Sequence, residues 1–179
     1  MSFSGKTVLI TGAGSGMGRL AVRNMAAAAA KVAALDVNEA GLAETAAGLG
    51  SVRSFVVDVT DAAHTAAVVQ ETEAEMGPIA RVYNAAAIMP LGLLLEQDTA
   101  LIHRIMAINY GGVVNIARAT LPAMLERGSG DMILFASMAG WLPTIYMGTY
   151  NASKFAVVAF AEVLYHENRN RGVRFACVC

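Results

Sequence analysis

Residues 7–18 read Thr7-Val8-Leu9-Ile10-Thr11-Gly12-Ala13-Gly14-Ser15-Gly16-Met17-Gly18, and a helix-length run ending in alanines follows to Ala30. The β-branched and apolar residues of 7–11 predict a strand, and 16–30 predicts a helix in which alanine favours close packing on a sheet. From the strand's end into the helix's first turn, Gly12, Gly14, Gly16 and Gly18 stand on alternate positions. A glycine turn that leaves a strand and opens a helix lets the backbone approach a pyrophosphate. The helix N-terminus then offers free N–H groups and a positive dipole end. The spacing from Gly12 is GxxxGxG rather than GxGxxG, and an ordinary glycine-rich turn would share the composition. The strand before and the helix after favour the phosphate reading.

Eighteen residues beyond Gly18, Asp36 closes the second apolar run. A carboxylate there accepts hydrogen bonds from both hydroxyls of an adenosine ribose and repels a 2′-phosphate. Neither Ser15 nor Val37 brings a cation to such a phosphate. The competing role for Asp36 is to cap the next helix. Together these residues predict NAD rather than NADP.

The same alternation continues along the chain. Strands are predicted over 7–11, 32–36, 52–58, 80–85, 131–137 and 173–179. Helices are predicted over 16–30, 39–49, 62–76, 98–127 and 150–171. Strand, crossover and strand, repeated, predicts an α/β fold with a parallel sheet and helices on both faces. The strands are near-continuous apolar runs, as burial on both faces requires. No linker, charge block or repeat divides residues 1–179, so one domain is expected. Asn109, Gly111 and Gly112 interrupt the 98–127 segment with poor helix formers. It is either two helices joined by a loop or one helix with a distorted turn.

Composition narrows the function. Thirteen basic against fourteen acidic residues give a net charge of −1, which leaves no electrostatic footprint for nucleic acid or a membrane surface. Charged residues make up 15% of the chain, well below the usual value of about 25%. The longest stretch without Asp, Glu, Lys or Arg, 132–153, holds Gly140, Pro143 and Gly148 and reads as strand, loop and helix start rather than a membrane span. The first strand begins at Thr7, too early to follow a signal peptide, and a cytoplasmic location is expected. His64, His103 and His166 fall on separate helices without ligand spacing, so no metal site is expected. Cys177 and Cys179 are expected to be buried free thiols on one face of a strand.

Tyr150 and Lys154 stand at i and i+4, on one helical face. A free phenol gives up its proton near pH 10, and a neighbouring ammonium favours the phenolate that a base needs at neutral pH. Ser137, thirteen residues earlier at the end of the fifth strand, lies where open α/β sheets hold ligands. Its hydroxyl can bond the same substrate oxygen as Tyr150.

Taken together, Thr11 to Gly18, Asp58-Val59, Asn109, Ser137 and Tyr150-x-x-x-Lys154 resemble the short-chain dehydrogenase/reductase family along almost the whole chain. The resemblance implies a Rossmann-like doubly wound sheet and an oxidoreductase moving a hydride between NAD(H) and a secondary alcohol or ketone. It implies a catalytic set of Asn109, Ser137, Tyr150 and Lys154, with Asn109 holding a water in a proton relay to Lys154. It also implies cofactor contacts from Gly12, Ser15, Gly16, Met17, Gly18, Asp36, Asp58, Val59, Asn84, Ala85, Ala86, Tyr150 and Lys154. Asp58 matches the position that holds the adenine amino group, and Lys154 the one that binds the nicotinamide ribose. Tyr83-Asn84-Ala85-Ala86 stands where the family usually has Asn-Asn-Ala-Gly. An enoyl reductase would carry a tyrosine at position 147, where this chain has Met147.

By the same comparison the chain ends inside its sixth strand, before a seventh strand and a substrate-binding segment. A homodimer or homotetramer is expected through 98–127 and 150–171, using Phe155, Val158, Ala159, Ala161 and Val163. Trp141, Leu142, Tyr146 and Met147 either line the substrate side or pack as an ordinary loop. A nucleotide-binding scaffold or sensor with little turnover is the alternative to an enzyme.

Overall fold

A computed structural model describes residues 2–179. Six strands form one sheet: β1 (Thr7–Thr11), β2 (Lys31–Asp36), β3 (Val52–Val56), β4 (Ile79–Asn84), β5 (Gly130–Phe135) and β6 (Val173–Val178). Every neighbouring pair is parallel, in the order β3-β2-β1-β4-β5-β6. The crossovers carry α1 (Gly16–Ala27), α2 (Glu39–Ala46), α3 (Ala62–Met76), α4 (Thr99–Met106), α5 (Gly112–Arg127) and α6 (Gly148–Asn168). The winding reverses between β1 and β4, and a crevice opens there beyond the carboxyl ends of the strands.

Alternation along the strands divides the core in two. Val8 and Ile10 of β1 join Val32 and Ala34 of β2 against Val22 of α1 and Leu42 of α2. Leu9, Leu35, Val82, Met132 and Leu134 point the other way, toward Val68 of α3, Ile116 of α5 and Val157 of α6. All five residues of β1 are buried, as the sequence predicts for a central strand. β3 departs from that expectation: Arg53, Ser54 and Val56 are exposed, because β3 is an edge with one neighbour. The other edge, β6, corrects the reading of the thiols, since Cys177 and Cys179 are both exposed. Val158 and Ala161 of α6 also pack into the chain's own core, while Phe155, Ala159 and Val163 stay exposed.

Capping explains several boundaries. The Asn38 side chain accepts from the Gly41 N–H and starts α2, so Asp36 is not that helix's cap. Asp61 and Asp98 start α3 and α4 in the same way. Gly128, in the left-handed conformation at φ 62°, ends α5.

At the amino ends of the strands, Arg81, Asp131 and Arg174 lie in register on β4, β5 and β6. Asp131 Oδ2 accepts from Arg81 Nε (2.9 Å) and Nη2 (2.6 Å), and Oδ1 accepts from Arg174 Nε (2.6 Å). Burial alone would raise the Asp131 carboxyl, but the bonds from Arg174 and Arg81 hold it below the ordinary carboxylate range. Arg81 also lies over the Phe3 ring, 4.0 Å from its centroid. Among the described residues, no helix is long and apolar enough to cross a membrane.

Candidate active site

The glycine turn lines a crevice of about 320 Å³ at the switch between β1 and β4. Gly12, Ser15, Gly16, Met17 and Gly18 form one wall, with Asp36 and Val37 at the end of β2. Asp58, Val59, Ala85 and Ala86 complete it, so ten of the residues expected at the cofactor meet in one crevice. Gly16 has φ 49°, a conformation side chains resist, and a Cβ there would point into open space. At Gly18 a Cβ would run into the Gly12 carbonyl, so this glycine seats the helix against the turn. Ser15 makes no side-chain cap and the first turn of α1 carries no acid, which leaves its positive end free for an anion. These features fit the pyrophosphate of a dinucleotide.

The two carboxylates are oriented by local bonds. Asp36 Oδ2 accepts from the Gly14 N–H and Oδ1 from the Asn38 N–H, both at 2.9 Å, which fixes the acid at the mouth of the crevice. Asp58 Oδ1 accepts from the Thr60 N–H (2.9 Å) and hydroxyl (2.8 Å). Asn84 is arranged differently from its neighbours. Its buried amide accepts from the Thr11 hydroxyl (3.1 Å) and donates to the Val113 carbonyl (3.3 Å), leaving only its backbone for the crevice. The Thr11 hydroxyl also accepts from Ala85 N (3.0 Å) and Ala86 N (3.1 Å), so one threonine ties the ends of β1 and β4 together. Tyr83, which departs from the family's pattern as Ala86 does, packs against Phe135 and accepts from Arg81.

Beyond the end of β5, Ser137 begins a single 3₁₀ turn, Met138–Gly140, and its Oγ accepts from the Ala139 N–H at 3.1 Å. A Cβ on Gly140 would meet the Lys154 carbonyl at 2.9 Å and the Val158 side chain at 2.8 Å. Only glycine lets this turn lie so close to α6. Tyr150 and Lys154 occupy the first turns of α6, with Lys154 Nζ 5.6 Å from the Tyr150 ring centroid. Lys154 is 3% exposed, and its Nζ donates to the Phe135 carbonyl at 2.7 Å. Burial pushes its ammonium from 10.5 down to about 8, with Cys177 acting weakly in the opposite direction.

The interrupted long helix is one continuous rod. α4 passes into α5 through a π-helical turn, Ala107–Gly111, with helical dihedral angles on both sides. This supports the distorted-turn reading over the loop. Asn109 sits in that turn, fully buried. Its Oδ1 accepts from Ile88 N (2.8 Å), and its Nδ2 donates to the Ile88 carbonyl (2.9 Å) and to Ser153 Oγ (3.0 Å). Ser153 passes the connection to the Tyr150 carbonyl at 2.7 Å. Asn109 is therefore joined through Ser153 to the Tyr150 backbone and braced against the loop after β4, while Lys154 bonds separately to the Phe135 carbonyl.

Three residues of this region were absent from the sequence-derived set. Ser153 links Asn109 to α6. Asn151, buried in the same helix, donates to the carbonyls of Ala139 (2.8 Å) and Leu142 (3.1 Å) and so ties down the loop after Ser137. A polar amide with low helix propensity beside Tyr150 was the available signal. Arg104 of α4 lines the cofactor crevice, and nothing in the local sequence distinguishes it from a solvated arginine. Among the described residues, no group of three or more His, Cys, Asp or Glu side chains gathers to hold a metal.

Known proteins resemble the chain along most of its length. The family model for short chain dehydrogenase matches residues 6–179. SadH of Mycobacterium tuberculosis is 38% identical over 170 residues, covering 93% of this chain and 62% of that protein. The 17-beta-hydroxysteroid dehydrogenase 13 of Rattus norvegicus is 38% identical over 186 residues, covering 99% and 62%. The apo form of LigO from Sphingobium sp. strain SYK-6 superposes with a TM-score of 0.94 at 28% identity, covering 100% of this chain and 68% of that one. The chain thus spans about 62% of the length of these two curated relatives. With its parallel sheet, glycine turn and Tyr-x-x-x-Lys helix, the chain belongs to the short-chain dehydrogenase family.

Proposed function

We propose that the protein interconverts a secondary alcohol and a ketone using NAD. The observation that carries this reading is Lys154: an ammonium buried beside the Tyr150 ring, held by the Phe135 carbonyl two residues before Ser137. Burying a charge is unfavourable, and one carbonyl bond is little compensation, so the arrangement calls for a chemical role. A bound nicotinamide supplies the acceptor or donor of hydride. Tyr150 takes the alcohol proton in oxidation and returns it in reduction. The Ser137 hydroxyl orients the substrate oxygen, and the Lys154 ammonium stabilises negative charge on the Tyr150 oxygen. Asn109 has its side-chain amide committed to Ile88 and Ser153 and braces the site, so the water it would hold in the relay to Lys154 would bond its backbone. The Asp36 carboxylate would hold the ribose hydroxyls of NAD, and Asp58 would hold the adenine amino group.

The test is NADH formation with a panel of secondary alcohols; its absence across the panel supports the scaffold or sensor reading. Cofactor choice has its own test. Asp36→Ala with Val37→Arg removes repulsion and adds a phosphate partner, so the ratio of kcat/KM for NADP over NAD should rise by about a hundredfold or more. Equal kcat/KM for the two cofactors in the unmodified protein would reject the preference. We further propose a homo-oligomer formed on the outer face of α6, where Phe155, Ala159 and Val163 are exposed. A monomeric mass by light scattering at micromolar concentration would reject it.

A further inference from the structure

Two loops rise beside Tyr150, one after β4 and one after β5, and they are joined to each other. The Gly92 N–H donates to the Tyr146 carbonyl at 2.9 Å, and the Thr149 hydroxyl donates to Gln97 Oε1 at 2.6 Å. A Cβ on Gly148 would touch the Leu94 side chain at 3.0 Å, so the loops meet at the first turn of α6. Asn151 holds the second loop from below. Their outer surfaces are apolar: Leu95 is 100% exposed, Ile145 79% and Trp141 62%, with Leu91, Leu142 and Tyr146 also more than half exposed. Residues 87–95 and 138–150 contain no Asp, Glu, Lys, Arg or His. Such a concentration of large exposed apolar side chains marks a binding surface rather than a solvated one.

We propose that this charge-free rim selects a neutral, extended apolar alcohol or ketone and discriminates against substrates bearing an anionic handle. The inference rests on the oxidoreductase reading for the position of the reacting carbon. It adds the chemistry of the remainder of the substrate. A carboxylate, phosphate or sulfonate laid on these loops would lose water and meet no cation. An alkyl chain would cover Leu91, Leu95 and Ile145 as its own apolar surface leaves water. A carbonyl bonded at Ser137 and Tyr150 would direct such a chain onto the rim.

The chain's single tryptophan, Trp141, stands in the second loop, its indole N–H donating to Cys179 Sγ, and reports rearrangement of that loop on binding without turnover. Its emission should be followed while the protein is titrated with 2-hexanone, 2-dodecanone and 11-oxododecanoate. A buried methylene contributes up to about fourfold in affinity, so 2-dodecanone should bind at least about tenfold tighter than 2-hexanone. The carboxylate analogue should bind at least about tenfold more weakly than 2-dodecanone, because its charge is desolvated without a partner. Ile145→Glu, at an exposed position that folding does not need, should remove the chain-length preference. Equal affinities, tightest binding by 11-oxododecanoate, or no change in emission would overturn the proposal. A shift in emission with protein concentration alone would assign the rim to a second copy of the chain and overturn it too. Failure of NADH formation with every alcohol would strike at the oxidoreductase reading, whereas the titration tests the rim itself.

Discussion

The two ends of the sheet treat buried charge in opposite ways. At the amino ends, the Asp131 carboxylate is bonded by two guanidinium groups from the neighbouring strands, and its pKa is lowered. At the carboxyl end, the Lys154 ammonium has a carbonyl as its bonded partner, and burial pushes its pKa down to about 8. A carboxylate with a lowered pKa is more comfortable charged in the folded protein than in the unfolded chain. A lysine with a lowered pKa is less comfortable. One end of the molecule is stabilised by its charges, and the other carries a charge at a cost. The difference separates structural from chemical work: substitutions at the carboxyl end should remove function, and substitutions at the amino end should remove stability.

The largest effect should come from Tyr150→Phe. Loss of general acid–base help typically lowers turnover by about a hundredfold to ten-thousandfold. The ring keeps its packing and the crevice is untouched, so NADH affinity and Tm should stay close to those of the unmodified protein. A variant that loses turnover only because it melts early would break the comparison, and a variant with undiminished turnover would break the mechanism.

Asp131→Ala should do the converse. It removes the carboxylate that the partly buried Arg81 bonds, and should lower stability by about 1–3 kcal/mol in chemical denaturation, chiefly through Arg81. Turnover per folded molecule should hold. The sign with pH follows from the lowered carboxyl: the Asp131 contribution is fully present above the unfolded carboxylate's pKa and is lost as pH falls through the lower folded value. The unmodified protein should therefore lose more stability than Asp131→Ala on acidification below about pH 4. Equal acid sensitivity in the two proteins would show that the three-strand bridge contributes nothing.

The same contrast governs how much could be read from the sequence. The glycine turn, Asp36 and the i, i+4 pair are local patterns with direct chemical meaning, so the crevice and the face of Tyr150 and Lys154 were legible. The alternating architecture followed from the period of apolar runs, and the central strand β1 is buried as that period predicts. Edge status was not legible, because whether β3 or β6 has a second neighbour depends on chain order in the sheet. That is why Val56 and the two thiols are more exposed than their sequence suggested. Nor could spacing reveal that Asn109 reaches Ile88 and Ser153, a connection spanning forty-four positions to the serine. Asn109 registered only as an awkward residue in a helix. The clamp of Arg81, Asp131 and Arg174 went unread for the same reason, since its members adjoin only through register.

The smallest expected effect is the most discriminating, because it measures the cost of the Lys154 charge directly. In the unfolded chain this lysine keeps its proton up to about pH 10.5, whereas in the folded protein it gives it up near 8. Between those values the unfolded state binds more protons, so folding stability rises with pH. Below 8 both states are charged and the full penalty of burial is present. From pH 8 to 9 the relief should amount to about 1 kcal/mol. Cys177 acts with the opposite sign, but later: partial shielding pushes its thiol from 9.0 up to about 11, which lowers stability as pH rises through that higher interval. The window from 8 to 9 therefore belongs chiefly to Lys154. Denaturation curves at the two pH values should show the gain in the unmodified protein and not in Lys154→Met, which has no proton to lose. If both proteins gain equally, the lysine is not held charged at a cost, and the contrast between the two ends of the sheet fails at its carboxyl end.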